Sequence, residues 1–262
     1  MTLPDFSLTG KVAIVTGAKR SIGRGISLLF AEAGADVVVC GRSLPELEVL
    51  ADEIKALGRR ALAVQANVSV KADVSALVEK TVDAFGTVDV LVNNAVVYAN
   101  GPLLNLPEEQ WDHTVDVGLK GFYLCTQAVS RVMMEQKKGS IVNLGSTAGI
   151  RPTGNQGAYS VIKAGGMMMT KLLAAELAEF NIRVNAVAPT IVKTPELIKA
   201  MGGNEDALKG FKTQLPLGRL TELEELTSAA LYLASDASSY ISGHILVVDG
   251  GRVNTFPRPQ TG

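Results

Sequence analysis

Seven short runs rich in β-branched residues recur along the chain, each separated from the next by a segment with helical character. The runs are Val12–Thr16, Asp36–Cys40, Ala61–Ala66, Asp89–Val92, Ser140–Gly145, Ile182–Ala188 and Ile245–Asp249. Several are continuously apolar rather than alternating, as befits strands covered on both faces. The segments Ile22–Ala33, Leu44–Leu57, Val70–Phe85 and Glu108–Gln136 carry a helical period instead. Strand then helix, repeated, predicts an α/β fold: a Rossmann-like, doubly wound parallel sheet of about seven strands with right-handed crossovers. No repeat, low-complexity tract or linker divides residues 1–262, which read as a single domain. Thr190–Gly218 is the one long stretch without a clear strand. Long excursions in compact domains are often lids, so a substrate flap is expected at about 190–215, with a fixed surface loop as the alternative.

Composition then removes several classes of function. Apolar residues make up 47% of the chain, enough for a sizeable core, and the net charge of −1 gives no reason to expect nucleic acid or an anionic membrane as partner. No apolar run approaches the roughly 18 to 20 residues of a spanning helix. Met1–Gly10 holds no basic leader and does not read as a signal peptide. Cys40 and Cys125 sit in apolar segments and read as buried free thiols of a reducing compartment, which points to the cytoplasm. With His113 and His244 as the only histidines, no metal site is expected.

Two places along the chain carry chemistry. The first strand runs into Thr16-Gly17-Ala18-Lys19-Arg20-Ser21-Ile22-Gly23 and then a helix. Glycines there let the backbone approach a pyrophosphate, and the helix N-terminus supplies free N–H groups. The second strand ends at Cys40-Gly41-Arg42, where a carboxylate would favour NAD. That carboxylate is missing. Arg42 and Arg20, with Lys19 adding charge, suit a 2′-phosphate and so NADP(H). The second place is Tyr159-Ser160-Val161-Ile162-Lys163. Tyr and Lys four apart share a helix face, and an ammonium beside a phenol favours the phenolate, which suits acid–base work on a carbonyl or alcohol. Ser146 ends the strand Ser140–Gly145, at the sheet edge where ligands bind.

These elements together resemble the short-chain dehydrogenase/reductase family over nearly the whole chain. The matching pieces are Thr16-Gly17-Ala18-x-x-x-Ile22-Gly23, Asn93-Asn94-Ala95, Ser146 with Tyr159-x-x-x-Lys163, Arg183-Val184-Asn185-x-x-x-Pro189, and Asp249-Gly250-Gly251. The resemblance implies that Tyr159 is the acid in reduction and the base in oxidation. Lys163 would hold the nicotinamide ribose and lower the Tyr159 pKa, and Ser146 would orient the carbonyl oxygen. It further implies cofactor contacts at Gly17, Lys19, Arg20, Ser21, Ile22, Gly23, Arg42, Asn67, Val68, Asn93, Ala95, Pro189, Val192 and Thr194, besides Tyr159 and Lys163. A homotetramer, joined partly through Gly118–Gln136 and Tyr159–Glu179, is also implied.

The chain departs from the family pattern in places. Ser21 replaces a glycine of the turn, Asn67 stands for an adenine-binding Asp, and Val96 and Thr190 replace glycines beside the pocket. Gly118 stands where relatives carry an Asn whose backbone carbonyl is thought to hold a water leading to the lysine. Glycine keeps the carbonyl and permits a bend, so the relay is expected to survive. Ser160-x-x-Lys163 lacks the companion motifs of a serine β-lactamase, and no Gly-x-Ser-x-Gly elbow surrounds Ser146. Met167-Met168-Met169 reads as filler and Trp111 as packing, while Tyr98 is a candidate for the pocket wall.

The chain is thus expected to be an NADP(H)-dependent carbonyl reductase or alcohol dehydrogenase acting on a small ketone or secondary alcohol. The pocket is expected to be walled by Val96, Val97, Tyr98, Thr147, Ile150, Gln156, Thr190, Ile191 and Leu197, which favours an apolar ketone. Rival readings are a carrier-bound β-ketoacyl reductase, for which Lys137 and Lys138 are the candidate basic contact, a sugar or polyol dehydrogenase, and a non-catalytic NADP(H) sensor.

Overall fold

A computed structural model describes residues 5–99, 101–203 and 208–255. The first half is three strand–helix units: β1 (Val12–Thr16), α1 (Ser21–Glu32), β2 (Asp36–Gly41), α2 (Leu44–Ala56), β3 (Ala61–Gln65) and α3 (Lys71–Phe85). The second half continues with β4 (Val90–Asn93), α4 (Glu108–Val115), α5 (Gly121–Gln136), β5 (Gly139–Leu144), α6 (Gly157–Glu176) and β6 (Ile182–Pro189). After short elements β7 (Val192–Lys193), α7 (Pro195–Ala200), α8 (Lys209–Lys212) and β8 (Thr221–Glu222), the chain closes with α9 (Leu223–Ala234) and β9 (Ile245–Val248). The main sheet has the order β3-β2-β1-β4-β5-β6-β9, and every neighbouring pair is parallel.

Period-two alternation divides each strand between two cores. Ala13 and Val15 of β1, with Val37 and Val39 of β2, pack against α1, α2 and α9. Val12 and Ile14, with Val38 and Cys40, face α3, α5 and α6. Both faces being covered, these strands are apolar on both sides from Val12 to Val15 and from Val37 to Cys40, and each fully buried Leu, Ile or Val contributes about 1.5 to 3 kcal/mol. Arg183 and Asn185 serve this scaffold. Arg183 donates to the carbonyls of Leu233, Ala234 and Ser235 at the end of α9, and Asn185 donates to Ile241 and accepts from His244.

The segment Glu108–Gln136 is helical as expected but not uniform. Asp116–Lys120 forms a π-helical turn between α4 and α5, and Gly118 lies buried within it. The expected flap region has more structure than a loop. Val192 pairs with Thr221 and Lys193 with Glu222 in a two-stranded parallel sheet, and Leu208, Leu215 and Leu220 form a separate small core with Ile191 and Leu197 packed on it. Residues 204–207 of that region lie outside the described residues, as do 1–4 at the start of the chain.

Candidate active site

In a doubly wound sheet the crevice opens where strand order reverses, at the carboxyl ends of the strands. Here the reversal falls between β1 and β4. Thr16 braces that point: its hydroxyl accepts from the N–H groups of Asn94 and Ala95 at 3.0 and 3.2 Å and donates to the Val92 carbonyl at 3.1 Å. Asn94 Nδ2 in turn donates to the carbonyls of Thr16 and Gly17 at 2.9 and 3.1 Å. The approach is close enough to demand glycine. A Cβ on Gly17, which holds φ +64°, would lie 2.8 Å from Ala95 Cα, and one on Gly23 would lie 2.5 Å from Asn94 Nδ2.

Over this brace lies a cleft of about 880 Å³. Gly17, Lys19, Arg20, Ser21, Ile22 and Gly23 line one end, Arg42, Asn67 and Val68 another side, and Asn94 to Tyr98 the floor toward the catalytic residues. Arg20 and Arg42 are exposed at its rim. Lys19 also lines it, but its ammonium is paired with Glu46 at 2.9 Å, so its charge is partly committed. Glu46 is held below its ordinary range by hydrogen bonds from Ser43 and Lys19. Ser21 sits at φ +54°, a left-handed conformation that costs a non-glycine residue about 1 to 2 kcal/mol. Asn67 turns its side-chain oxygen back on Ser69, accepting from the Ser69 amide and hydroxyl at 3.2 and 2.9 Å.

Six expected cofactor contacts are absent from the lining of this cleft: Tyr159 and Lys163, described below, and Asn93, Pro189, Val192 and Thr194. Asn93 points inward, donating to Thr126 and Asn143 at 3.0 and 2.9 Å, because its neighbours in β4 alternate between the two cores and its own side chain falls on the α5 side. Asn94 takes the cleft position instead. Pro189 and Val192 are buried and do not line the cleft. Thr194 is also buried and spends its hydroxyl capping α7, accepting from the Leu197 amide at 3.2 Å. From that helix it is Glu196 that reaches the cleft lining. A capping Thr followed by Pro is a legible helix start, but nothing local marks Glu196.

Ser146, Tyr159 and Lys163 come together through β5 and α6. Ser146 caps the turn Thr147–Gly149, accepting from the Ala148 amide at 3.1 Å. Gly149 lets that turn lie on α6, since a Cβ there would be 2.7 Å from the Lys163 carbonyl carbon. Lys163 is buried, donates to the Leu144 carbonyl, and has its ammonium 5.5 Å from the centre of the Tyr159 ring. Burial pushes the lysine down to about 7. Burial also pushes the Tyr159 phenol up, and the Ser146 hydroxyl beside it pulls less strongly the other way. The expectation of a phenol lowered by its lysine is thereby corrected for the ligand-free chain: desolvation outweighs an ammonium turned toward Leu144. A proton held on Tyr159 is what an acid in carbonyl reduction needs.

Tyr98 lies on the Tyr159 ring, Gln156 donates to the Tyr98 hydroxyl, and Val96 and Val97 line the cleft. Ile191 and Leu197 instead pack on the small core near α7, and Thr147 is buried. Thr190 accepts from Arg252 at 2.9 Å. A smaller cleft of about 340 Å³ lies at the opposite sheet edge, lined by Lys11, Asp89, Lys138 and Arg183. Lys138 immediately precedes β5 and so lies at the amino ends of the strands, away from the catalytic edge. The basic pair Lys137 and Lys138 is therefore not at the mouth of the site. No cluster of metal-ligating side chains occurs among the described residues, and no helix among them is long and apolar enough to cross a membrane.

Comparison with known proteins agrees with this geometry. A family model described as enoyl-(acyl carrier protein) reductase matches residues 17–252. A 3-oxoacyl-[acyl-carrier-protein] reductase of Thermotoga maritima is 42% identical over 246 residues, covering 94% of this chain and 99% of the relative. Among solved structures, a short-chain type dehydrogenase/reductase from Mycobacterium marinum superimposes with a TM-score of 0.89 at 35% identity, covering 96% of this chain and 98% of that one. A gluconate 5-dehydrogenase from Burkholderia cenocepacia, in complex with NADP and tartrate, does so with a TM-score of 0.91 at 31% identity, covering 97% and 99%.

Proposed function

The chain belongs to the short-chain dehydrogenase/reductase family, and from that premise we propose that it is an NADP(H)-dependent oxidoreductase interconverting a ketone and a secondary alcohol. The observation that carries the reading is the convergence of Ser146, Tyr159 and Lys163 beside a dinucleotide-sized cleft rimmed by Arg20 and Arg42.

The residues fit the cofactor. Gly17 and Gly23 leave a cradle that any Cβ would fill, α1 offers its N-terminus, and the two arginines match a 2′-phosphate. Gly17, Ser21, Ile22 and Gly23 would hold the pyrophosphate, and Asn67 and Val68 would flank the base. When bound, the nicotinamide supplies the hydride that the carbonyl carbon receives. The chain supplies the rest. Tyr159 gives its proton to the carbonyl oxygen in reduction and takes it back in oxidation, and Ser146 orients that oxygen. Lys163 holds a ribose hydroxyl and, once its ammonium faces the phenol, steadies the phenolate. The reduction balances as ketone, NADPH and one proton giving alcohol and NADP⁺.

The decisive experiment is NADPH consumption over a panel of ketones, β-ketoesters and keto-sugars, with Tyr159→Phe run in parallel. Turnover that disappears in the variant supports the reading. Turnover that persists refutes the role of Tyr159, and silence across the panel with NADPH bound favours a sensor. A carrier-bound β-ketoacyl substrate is the second reading, favoured by the similarity to acyl-carrier reductases. Activity on a pantetheine β-ketoester and none on simple ketones would select it.

Two further parts of the reading concern setting. The region at about 190–215 would act as the substrate flap within one domain. A homotetramer is supported by Val161, Met168 and Leu172, exposed along one stripe of α6, and by exposed Tyr123 of α5. Light scattering gives the subunit number directly. A reducing cytoplasmic setting is supported by two buried free thiols, with Cys40 pushed up to about 12 by burial.

A further inference from the structure

One side of Tyr159 is already covered. The ring of Tyr98 lies on it, with centroids 4.4 Å apart and planes inclined by 37°. Tyr98 is not free to swing away. Gln156 Nε2 donates to its hydroxyl. The backbone is tied as well: the Gly101 amide donates to the Asn155 carbonyl at 3.0 Å, and the Gly157 amide donates to the Gly101 carbonyl at 3.4 Å. Glycine at 157 permits this approach, since a Cβ there would stand 2.8 Å from Leu103 Cβ. The loop after β4 is thus zipped to the start of α6, the helix that carries Tyr159. Tyr98 is nonetheless 46% exposed, so the side of the ring away from Tyr159 is open.

We propose that Tyr98 is a specificity-determining residue, a fixed aromatic wall pinned by Gln156 that favours ketones carrying a flat apolar group, above all an aryl ring, on the carbonyl carbon. The inference rests on Tyr159 as proton donor. A carbonyl oxygen at the Tyr159 hydroxyl brings the substituents of that carbonyl beside Tyr98. A flat ring there gains a stacking contact that a puckered ring of the same size does not, roughly two- to tenfold in affinity. A hydroxylated chain in the same place leaves its hydroxyls without partners against an apolar face, so keto-sugars are disfavoured. Exposed Val96, two residues before Tyr98 in the same loop, and exposed Ile150, after the turn that Ser146 caps, extend the same apolar character.

The test compares acetophenone with cyclohexyl methyl ketone, which differ in flatness more than in size. Preference is read as the ratio of kcat/KM in the parent protein, Tyr98→Phe, Tyr98→Ala and Gln156→Ala. The parent and Tyr98→Phe are expected to prefer acetophenone. Tyr98→Ala is expected to lose roughly two- to tenfold of that preference, and Gln156→Ala and Tyr98→Phe, each of which unpins the ring, part of it. Calorimetric binding of the two ketones to the NADP⁺-saturated protein is expected to follow the same order and needs no turnover. Thermal melts check that each variant folds. An unchanged ratio in Tyr98→Ala, or no acetophenone preference in the parent, overturns the wall. A parent that oxidises no NADPH with any ketone overturns the oxidoreductase reading instead, and the calorimetric ratios then still decide the wall on their own.

Discussion

Gly118→Ala is expected to destabilise the protein, and to stop doing so once one methyl group is removed from Ile162. A Cβ placed on Gly118 would stand 2.2 Å from Ile162 Cδ1, while ordinary carbon contacts lie at about 3.5 to 4.0 Å. Ile162 is fully buried on α6, between Tyr159 and Lys163, and has little room to retreat. Overpacking of this kind costs about 1 to 3 kcal/mol. Against it stands the helix preference for alanine over glycine, up to about 1 kcal/mol. The net expectation is a loss of up to about 2 kcal/mol. Ile162→Val alone should cost about 0.5 to 1.5 kcal/mol. It deletes the offending Cδ1, and the next Ile162 atom, Cγ1, is 3.5 Å from the built Cβ, an ordinary contact. In that background Gly118→Ala should be neutral or stabilising, giving a coupling of about 1 to 3 kcal/mol across the cycle. Urea unfolding of the four proteins at one pH measures it. Effects that add within about 0.5 kcal/mol would refute the reasoning. The same geometry bears on Gly118→Asn. Restoring the family's residue alone should lower turnover, because its side chain must first displace Ile162, the residue before Lys163 on α6.

Lys163 and the rim arginines give further expectations. Lys163 titrates at about 7 in the fold and near 10.4 when unfolded, so between those values the unfolded chain holds a proton that the fold does not, and stability rises with pH across that window. Lys163→Met should raise the unfolding free energy at pH 6.5 by about 1 to 3 kcal/mol and flatten its rise toward pH 9.5, and melts with an unchanged slope would sink this account. Arg42→Asp should cut the preference for NADPH over NADH by about ten- to a hundredfold, and equal discrimination would remove Arg42 from the 2′-phosphate site. Glu46→Gln removes the carboxylate paired with Lys19 and should tighten NADPH binding roughly twofold at low salt, an effect that fades at high salt.

The fold was largely legible because a strand buried on both faces is apolar over most of its length, and each expected run lies within a residue or so of an observed strand. The π-helical turn at Asp116–Lys120 was not legible, since one extra residue per turn barely disturbs a helical pattern; Gly118 was its one local sign. At the site, glycines marked where the turn after β1 lies against Asn94 and Ala95, because an approach that close leaves no room for a Cβ. Which of Asn93 and Asn94 faces the cleft depends on strand phase, which the motif itself does not state. Pairings across long separations, Lys19 with Glu46 and Tyr98 with Gln156, leave no trace in local pattern. The direction of the Tyr159 shift went the other way because motif spacing carries no information on burial.

The excursion between β6 and α9 leaves and returns at one place. Val192 and Lys193 pair with Thr221 and Glu222, so its two ends are clasped side by side, and its apolar residues close on their own small cluster. A segment anchored like a drawer in a cabinet can be exchanged or lengthened with little penalty, because the entropy of closing a loop grows only slowly with its length. Neither Gly17–Gly23 nor the Thr16–Asn94 brace depends on what fills it. The excursion can thus change in length while the turn after β1 and its brace to Asn94 keep their own contacts.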